Sequence, residues 1–162
     1  MDTFHNTLFC VSITEDKNPK NSSGNTPLHF TARFGRLETV KAITKQIEDK
    51  NPKSHRFLTP LHEAANEGFP EVVKYLLTFL DETDLNVTFS TDESPLHCAA
   101  RKGHLEVVQV ILEHINLLDF EASVEESANL ANFYGKEEVS EFIKNEIASS
   151  KNEGPKRKKL KT

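Results

Sequence analysis

The stretch from Thr59 to Leu77 reads TPLHEAANEGFPEVVKYLL, and two further stretches of the chain repeat its pattern. Residues 26–44 read TPLHFTARFGRLETVKAIT, and residues 94–112 read SPLHCAARKGHLEVVQVIL. The prolines at the second position are 33 and then 35 residues apart, and a glycine follows each proline by eight residues. A recurrence with a period in this range is typical of repeat architectures, so the chain consists mainly of one repeated unit.

The residues shared by the three copies suit a pair of short helices. Threonine or serine is a good N-cap, and a proline is tolerated in the first helical turn. The glycine supplies the left-handed conformation that ends the first helix. Val72, Val73, Leu76 and Leu77 form an apolar stripe on the second helix. One unit cannot bury this stripe alone, so the units are predicted to stack.

A unit of this length with T-P-L-H, then alanines, then glycine, then V-V-x-x-L-L resembles the ankyrin repeat, a β-turn followed by two helices. The resemblance covers residues 8–147. It implies an all-α fold, an ankyrin-repeat solenoid of stacked helix-turn-helix units joined by short β-hairpin loops. The first copy departs from the pattern at Thr31, Thr39 and Thr44, which predicts looser packing there.

The ends of the chain are irregular, and they set the predicted domain limits. Residues 1–20 are predicted to be an N-terminal half-repeat or cap, because Leu8 to Ile13 fall where the second helix of a preceding repeat would lie. A chain that begins partway through a repeat is either a truncated cap or a piece of a longer protein. The ankyrin-repeat domain is predicted over residues 21–147, with its repeats at 21–53, 54–88, 89–120 and 121–147.

The fourth repeat has lost T-P-L-H but keeps Gly135, 32 residues after Gly103, so it is predicted to be a degenerate C-terminal cap. Its polar residues, Ser140 among them, fit an outward-facing end. Two additional residues before Asp84 are expected to lengthen either the second helix of that repeat or the loop after it. Residues 148–162 are predicted to be a disordered basic tail.

The charge is unevenly distributed along the chain. Residues 1–150 carry 14 basic and 24 acidic residues, a net charge of −10, whereas residues 151–162 carry 6 basic and 1 acidic, a net charge of +5. An acidic body argues against binding of nucleic acid by the body, because phosphate contacts need basic surface. The sequence also predicts no membrane span and no signal peptide, and two cysteines are too few for a disulfide framework. We therefore expect the protein in the nucleus or the cytoplasm.

No catalytic, metal or cofactor site is predicted. His62-Glu63 begins like a zinc-protease H-E-x-x-H motif, but the second ligand position is Asn66. His29 and His97 are repeat equivalents of His62 on separate layers, so local bonding at the start of the helix explains them better than a shared metal. Cys98 is expected to be a small buried hydrophobe, since no positioned base accompanies it. The chain is predicted not to be an enzyme.

The resemblance implies a partner-binding surface made by the hairpin tips and the exposed face of the first helices. The tip positions are Ser22, Ser23, Asn25, His55, Arg56, Leu58, Ser90, Thr91 and Glu93. The helix positions are Arg33, Phe34, Asn66, Glu67, Arg101, Lys102, Phe133 and Tyr134. Aromatic residues and arginines are the commonest binding hot spots. Phe133 and Tyr134 have a second interpretation, packing within the end cap. Arg33, Arg56 and Arg101 recur on one face, which would suit an acidic peptide; an incidental recurrence of three charges is the alternative.

The tail is a separate element. Its cluster Lys156, Arg157, Lys158, Lys159 and Lys161 follows Pro155 and resembles a monopartite nuclear localisation signal. A generic solvated tail and a patch that binds polyanions remain as alternatives.

Together these features predict a monomeric, non-enzymatic protein-protein interaction module that binds a partner through its concave ankyrin surface, as a nuclear regulator or inhibitor, with a nuclear import receptor as a second partner through the tail. The alternative is a substrate-recruiting or scaffolding fragment of a larger multidomain enzyme or ligase, which the N-terminal half-repeat favours.

Overall fold

The computed structural model describes residues 17–80, 93–115 and 121–153, and within those ranges the chain forms helices and no β-strand. The predicted all-α fold is therefore confirmed. The helices are α1 (Pro27–Arg33), α2 (Leu37–Thr44), α3 (Pro60–Glu67), α4 (Pro70–Leu77), α5 (Pro95–Lys102), α6 (Leu105–Leu112), α7 (Glu121–Phe133) and α8 (Glu137–Glu153).

The helices pair along the chain and stack in two layers. Each first helix packs against its own second helix, so that α1 contacts α2 and α3 contacts α4. The first helices α1, α3, α5 and α7 then contact one another in order and form one layer. The second helices α2, α4, α6 and α8 form the other layer in the same way. This arrangement is the stack that the repeated apolar stripe predicts.

The shared apolar positions form one continuous core. The leucines Leu28, Leu61 and Leu96 at the start of the first helices are buried, as are the valines Val40, Val73 and Val108 of the second helices. The alanines between the helices have no exposed surface and permit the close approach of neighbouring repeats. Since every repeat shares its core with the next, the stability of each unit depends on its neighbours.

The shared glycines have two functions, of which the sequence pattern revealed one. Gly68 adopts a left-handed conformation with φ of +80° and ends α3, as predicted. In addition, a Cβ at Gly68 would lie 2.5 Å from the ring of His104, the residue that follows the glycine of the next repeat. Phe69 covers Gly35 in the same way. The glycine therefore also makes room for a side chain from the next repeat.

The fourth repeat is a helix pair in the structure, although it lacks the T-P-L-H sequence. α7 packs on α5, and α8 packs on α7 and α6. Gly135 keeps the left-handed φ of +68°. Of the residues predicted to add polarity to this cap, Ser140 occupies the place of the core valines and is buried, whereas Glu141 and Lys144 are exposed.

Two predicted limits need correction or refinement. α8 continues to Glu153, so residues 148–153 are helical and do not belong to a disordered tail as the sequence analysis proposed. α4 has 8 residues, the same as α2 and α6, so the two additional residues before Asp84 do not lengthen that helix. The predicted half-repeat at Leu8–Ile13 and the basic cluster at 156–161 lie outside the described residues.

Candidate protein-binding surface

The T-P-L-H motif, with serine in place of threonine in the third copy, builds the start of α1, α3 and α5 through a reciprocal cap. Nδ1 of His29 accepts a hydrogen bond from the backbone N–H of Thr26 at 3.1 Å and lies 3.0 Å from the Thr26 hydroxyl. Nδ1 of His62 lies 2.9 Å from the Thr59 hydroxyl in the same arrangement. The histidine takes the place that glutamate or glutamine has in a capping box. The prediction that these imidazoles bond locally at the helix start is confirmed.

His29 also joins two repeats. Its Nε2 lies 2.9 Å from the carbonyl oxygen of Leu58, in the loop that precedes α3. Because Nδ1 accepts from the Thr26 amide, Nε2 carries the proton and donates to Leu58. Burial lowers the pKa of His29, and the charge of Lys20 lowers it further. The neutral ring is therefore the form that fits this site.

His97 has a comparable site with a different neighbour. Its Nδ1 lies 2.7 Å from the Ser94 hydroxyl, and its Nε2 lies 3.6 Å from a carboxylate oxygen of Glu126 on α7. Burial lowers the pKa of His97, although Glu126 and Glu93 oppose this effect. His97 therefore touches the next repeat through a carboxylate, whereas His29 does so through a backbone carbonyl.

Cys98 and the potential metal ligands lie in surroundings that do not favour catalysis or metal binding. Cys98 is buried, and burial raises the pKa of its thiol to about 12, so the thiolate form is strongly disfavoured at neutral pH. Within residues 17–80, 93–115 and 121–153 no group of three His, Cys, Asp or Glu side chains is arranged to hold a metal ion.

The loops between repeats are tied to one another. The turn at residues 21–25 is closed by the Asn21 N–H, which donates to the Asn25 carbonyl at 2.9 Å, and the turn at residues 54–58 is closed by the Ser54 N–H and the Leu58 carbonyl. The N–H of His55 donates to the carbonyl of Ser23 at 3.0 Å and joins the two turns. The first two of the tips predicted to bind a partner therefore form a continuous edge.

Most of the predicted binding residues are on the surface. The exposed ones are Ser22, Ser23, Arg33, Phe34, His55, Arg56, Glu67, Lys102, Phe133 and Tyr134. The half-buried ones are Asn25, Leu58, Asn66, Glu93 and Arg101. Ser90 and Thr91 lie outside the described residues.

Arg101 differs from the expectation of a free cation on the binding face. Its guanidinium lies 3.4 Å from a carboxylate oxygen of Glu93, donates to the Asn66 side chain at 3.3 Å and lies 6.0 Å from the ring centre of Tyr134. It therefore joins the second, third and fourth repeats, and its interactions with a partner would compete with these contacts.

Arg33 is more accessible. Its side chain is 54% exposed, and its nearest carboxylate is that of Glu63 at 4.0 Å. Burial raises the pKa of Glu63, and the charge of Arg33 opposes that rise. The distance is at the limit of an ion pair, and Glu63 is largely buried whereas the Arg33 side chain is more than half exposed. The Arg33 guanidinium is therefore accessible to a partner while it remains close to Glu63.

Exposed aromatic side chains cluster at the first two repeats and at the fourth. Phe34 is 51% exposed, and Phe133 is 82% exposed beside Tyr134, with ring centres 5.3 Å apart. The alternative that Phe133 packs inside the end cap does not hold, since most of its surface is open. Phe30 and Phe57 are also exposed, and the sequence analysis did not include them.

Phe57 combines exposure with an unusual backbone conformation. It is 58% exposed and has a φ of +62°, a left-handed conformation that bulky residues rarely adopt. Strained residues of this kind are concentrated at functional sites, where the surrounding structure holds them in place against their energetic cost. The only sign of this residue in the sequence is its place between the predicted tip residues Arg56 and Leu58, since the positive φ itself has no sequence signature.

Comparison with known families agrees with this architecture. The family model of ankyrin repeats matches three copies in the chain, over residues 4–88 and 44–122. The chain therefore belongs to the ankyrin-repeat family, whose members are generally non-enzymatic modules for protein-protein interaction. A search of curated proteins returned no significant match. In the described ranges, none of the helices has the length and apolar character needed to cross a membrane.

Proposed function

We propose that this protein regulates a partner protein by occupying part of its surface, through the loop tips and the exposed residues of the first helices. The observation that supports this most directly is the exposure of three phenylalanines in the first two repeats: Phe30 and Phe34, which are one helical turn apart, and Phe57 in the loop before α3. Monomeric proteins place large apolar side chains together on the surface mainly where they bind something.

We further propose that the regulator works in the nucleus as well as the cytoplasm. The support is the basic cluster Lys156, Arg157, Lys158 and Lys159 after Pro155, which fits an import receptor that binds lysine-rich segments. A partner in the nucleus, such as a component of transcriptional control, would be consistent with this distribution.

The partner-binding proposal is tested by affinity capture from nuclear and cytosolic extracts, followed by mass spectrometry. A captured protein is then tested in purified form against the Phe34→Ala variant. Binding should weaken by about tenfold, since truncation of an aromatic hot spot costs more than about 1 kcal/mol. The control is Phe79→Ala, because Phe79 is exposed but packs on Tyr75 in the second-helix layer. Equal loss in both variants would contradict the proposed surface.

The localisation proposal is tested separately. Alanine at Lys156, Arg157, Lys158 and Lys159 should move a fluorescent fusion, made too large for passive diffusion, from the nucleus to the cytoplasm. The melting temperature should not change, because these residues follow the last helix. A wild-type fusion that is already cytoplasmic would contradict the import function. Salt-sensitive binding to heparin or RNA would then support the polyanion-binding alternative.

A further inference from the structure

Two segments of the chain carry basic residues and no acidic ones. Residues 17–37 contain four lysines and arginines, and residues 50–62 contain three, and neither segment contains an aspartate or glutamate. The body as a whole, residues 1–150, has a net charge of −10. These two segments, with seven positive charges between them, are therefore basic within a body whose net charge is negative.

The fold brings the two segments together. Nζ of Lys20 donates to the backbone carbonyl of Lys53 at 3.0 Å, and the backbone N–H of His55 donates to the carbonyl of Ser23 at 3.0 Å. Lys20, Lys53 and the neighbouring Arg56 are all exposed. The charges thus lie along one edge of two adjacent loops, although Lys20 is 33 or more residues away from Lys53 and Arg56 in sequence.

The first loop leads directly into α1, and the end of α1 also carries an exposed basic and an exposed aromatic side chain. Arg33 and Phe34 are exposed at the end of α1, whose 7 residues span about 10 Å. The start of α1 is fixed to the second loop by the bond from His29 to Leu58, and Phe57 precedes Leu58. We define the basic-aromatic edge as Lys20, Arg33, Phe34, Lys53, Arg56 and Phe57.

The corresponding positions of the later repeats have a different character. The second repeat has Asn66 and Glu67 where the first has Arg33 and Phe34, and in the structure these two side chains bond to each other at 2.9 Å. Arg101 of the third repeat is held by Glu93 and Tyr134. Among the residues that the structure describes, accessible arginines combined with exposed phenylalanines are therefore a property of the first two repeats.

We propose that the basic-aromatic edge binds an acidic segment of a partner protein that also carries large apolar side chains. Carboxylates of the segment would pair with Arg33 and Arg56, since guanidinium groups bind carboxylates with two parallel hydrogen bonds. The apolar side chains would cover Phe34 and Phe57. This inference rests on the proposed function and specifies the chemistry of the partner at that surface.

An acidic peptide fits the edge better than a nucleic acid does. Phosphate chains also pair with arginine, and bases also stack on aromatic rings. However, a nucleic acid carries its charge continuously and would run from this edge onto the acidic remainder of the body, where it is repelled. A peptide segment can restrict its charge to the length of the edge. Neighbouring acidic groups, Asp49 and Glu63, limit the extent of the positive surface.

The test is a selection of random displayed peptides on the full chain. Peptides of about 12 residues are long enough, because an extended chain of that length spans about 40 Å. Enriched peptides should be acidic and should contain leucine or aromatic residues. In fluorescence anisotropy they should bind the Arg33→Gln/Arg56→Gln variant about tenfold more weakly, and the affinity of the wild-type chain should fall as salt rises.

A matched variant separates specific binding from bulk charge. The Lys45→Gln/Lys74→Gln variant also loses two positive charges, but from exposed sites in the second-helix layer: Lys45 directly follows α2, and Lys74 lies in α4. This variant should bind the peptides like the wild type. Phe57→Ala should weaken binding, whereas Phe79→Ala should not. Circular dichroism confirms that each variant is folded.

Several results would overturn this inference. These are enrichment of neutral or basic peptides, the absence of any enriched peptide, equal weakening in the lysine control, or tighter binding to a single-stranded RNA oligonucleotide than to the selected peptides. If a captured partner depends instead on Phe133 or Tyr134, the protein-binding function stands and the assignment of the basic-aromatic edge is wrong.

Discussion

The hydroxyl of Thr44 lies 2.8 Å from the phenol oxygen of Tyr75, and this hydrogen bond joins the second helices of the first two repeats. Thr44 is buried, although its departure from the repeat pattern predicts looser packing in the first repeat. Thr31, a second departure, is also buried, and its hydroxyl donates to the Pro27 carbonyl at 3.1 Å. Both buried hydroxyls are therefore satisfied, which removes the reason for expecting looser packing at these two positions.

The Thr44–Tyr75 bond predicts a non-additive pair of substitutions. Thr44→Val should lower the free energy of unfolding by about 1 kcal/mol, because the Tyr75 hydroxyl loses its partner in a half-buried site. Replacing both residues, as Thr44→Val with Tyr75→Phe, should restore most of this loss, since no polar group is then left without a partner. Urea unfolding measures both values. A single variant as stable as the wild type would show that the bond contributes nothing.

The capping histidines predict that the fold becomes less stable in mild acid. The pKa of His29 and that of His97 are lowered by burial in the folded state, so the unfolded chain binds protons more readily. Stability should be complete above the unfolded pKa of roughly 6.5 and should fall below it, by up to about 1.4 kcal/mol per pH unit for each histidine. Urea unfolding between about pH 7.5 and 5.5 measures this slope.

His29→Gln should be less stable than the wild type at neutral pH and should show a shallower slope, whereas His55→Gln, at an exposed loop, should keep the full slope. The raised pKa of Glu63 acts in the opposite direction at lower pH, because the folded state then holds its proton more tightly. An unchanged slope in His29→Gln would exclude this histidine as a cause of acid sensitivity.

Substitutions at two glycines separate the stability lost through backbone strain from the stability lost through a steric clash. Gly68 and Gly135 both have a left-handed φ, of +80° and +68°. A Cβ at Gly68 would lie 2.5 Å from the His104 ring, whereas a Cβ at Gly135 has no described atom within 4 Å. Gly135→Ala should therefore cost about 1–2 kcal/mol from the backbone alone. Gly68→Ala should cost clearly more, because the ring must also move and its 3.0 Å contact with the Asn66 carbonyl is disturbed. Thermal unfolding compares them, and equal costs would contradict the packing role.

The buried core predicts a large loss of stability when a leucine of α4, the second helix of the second repeat, is truncated. Leu76 is 1% exposed and packs between α2 and α6, so Leu76→Ala should cost about 2–5 kcal/mol and should loosen the neighbouring repeats as well. Hydrogen exchange of α2 and α6 measures the second effect. Lys74→Ala, on the exposed side of the same helix, should remain within about 0.5 kcal/mol of the wild type. If the Leu76→Ala variant were as stable as the wild type, the assignment of residues to positions in the repeat would be wrong.

The fold was predictable because its signals are local and repeated. The cap at Thr59, the glycine at position 68 and the stripe through Val73 and Leu76 each follow from the dihedral preferences or the periodicity of short segments. Repetition strengthened these signals, since each copy repeats the same evidence. The end of α8 at Glu153 was missed because residues 148–153 are polar, and no glycine or proline before Gly154 ends the helix.

The candidate surface was predictable only in part. Family resemblance located the tip and helix positions, and most of them are exposed. It did not distinguish Arg33, which is accessible, from Arg101, which is held by residues of two other repeats. It also passed over Phe57, because a positive φ at a phenylalanine has no sequence signature.

By itself, the sequence determined the repeat, the helical class, the capping histidines and the charge asymmetry, since each depends on residues close together in the chain. The tertiary structure decided which charges are free and which are paired, and that Lys20, Lys53 and Arg56 meet on one edge with Phe57. The physical reason is distance: the energy of an ion pair or a ring contact depends on separations of a few ångströms between residues that lie about a whole repeat apart in the chain.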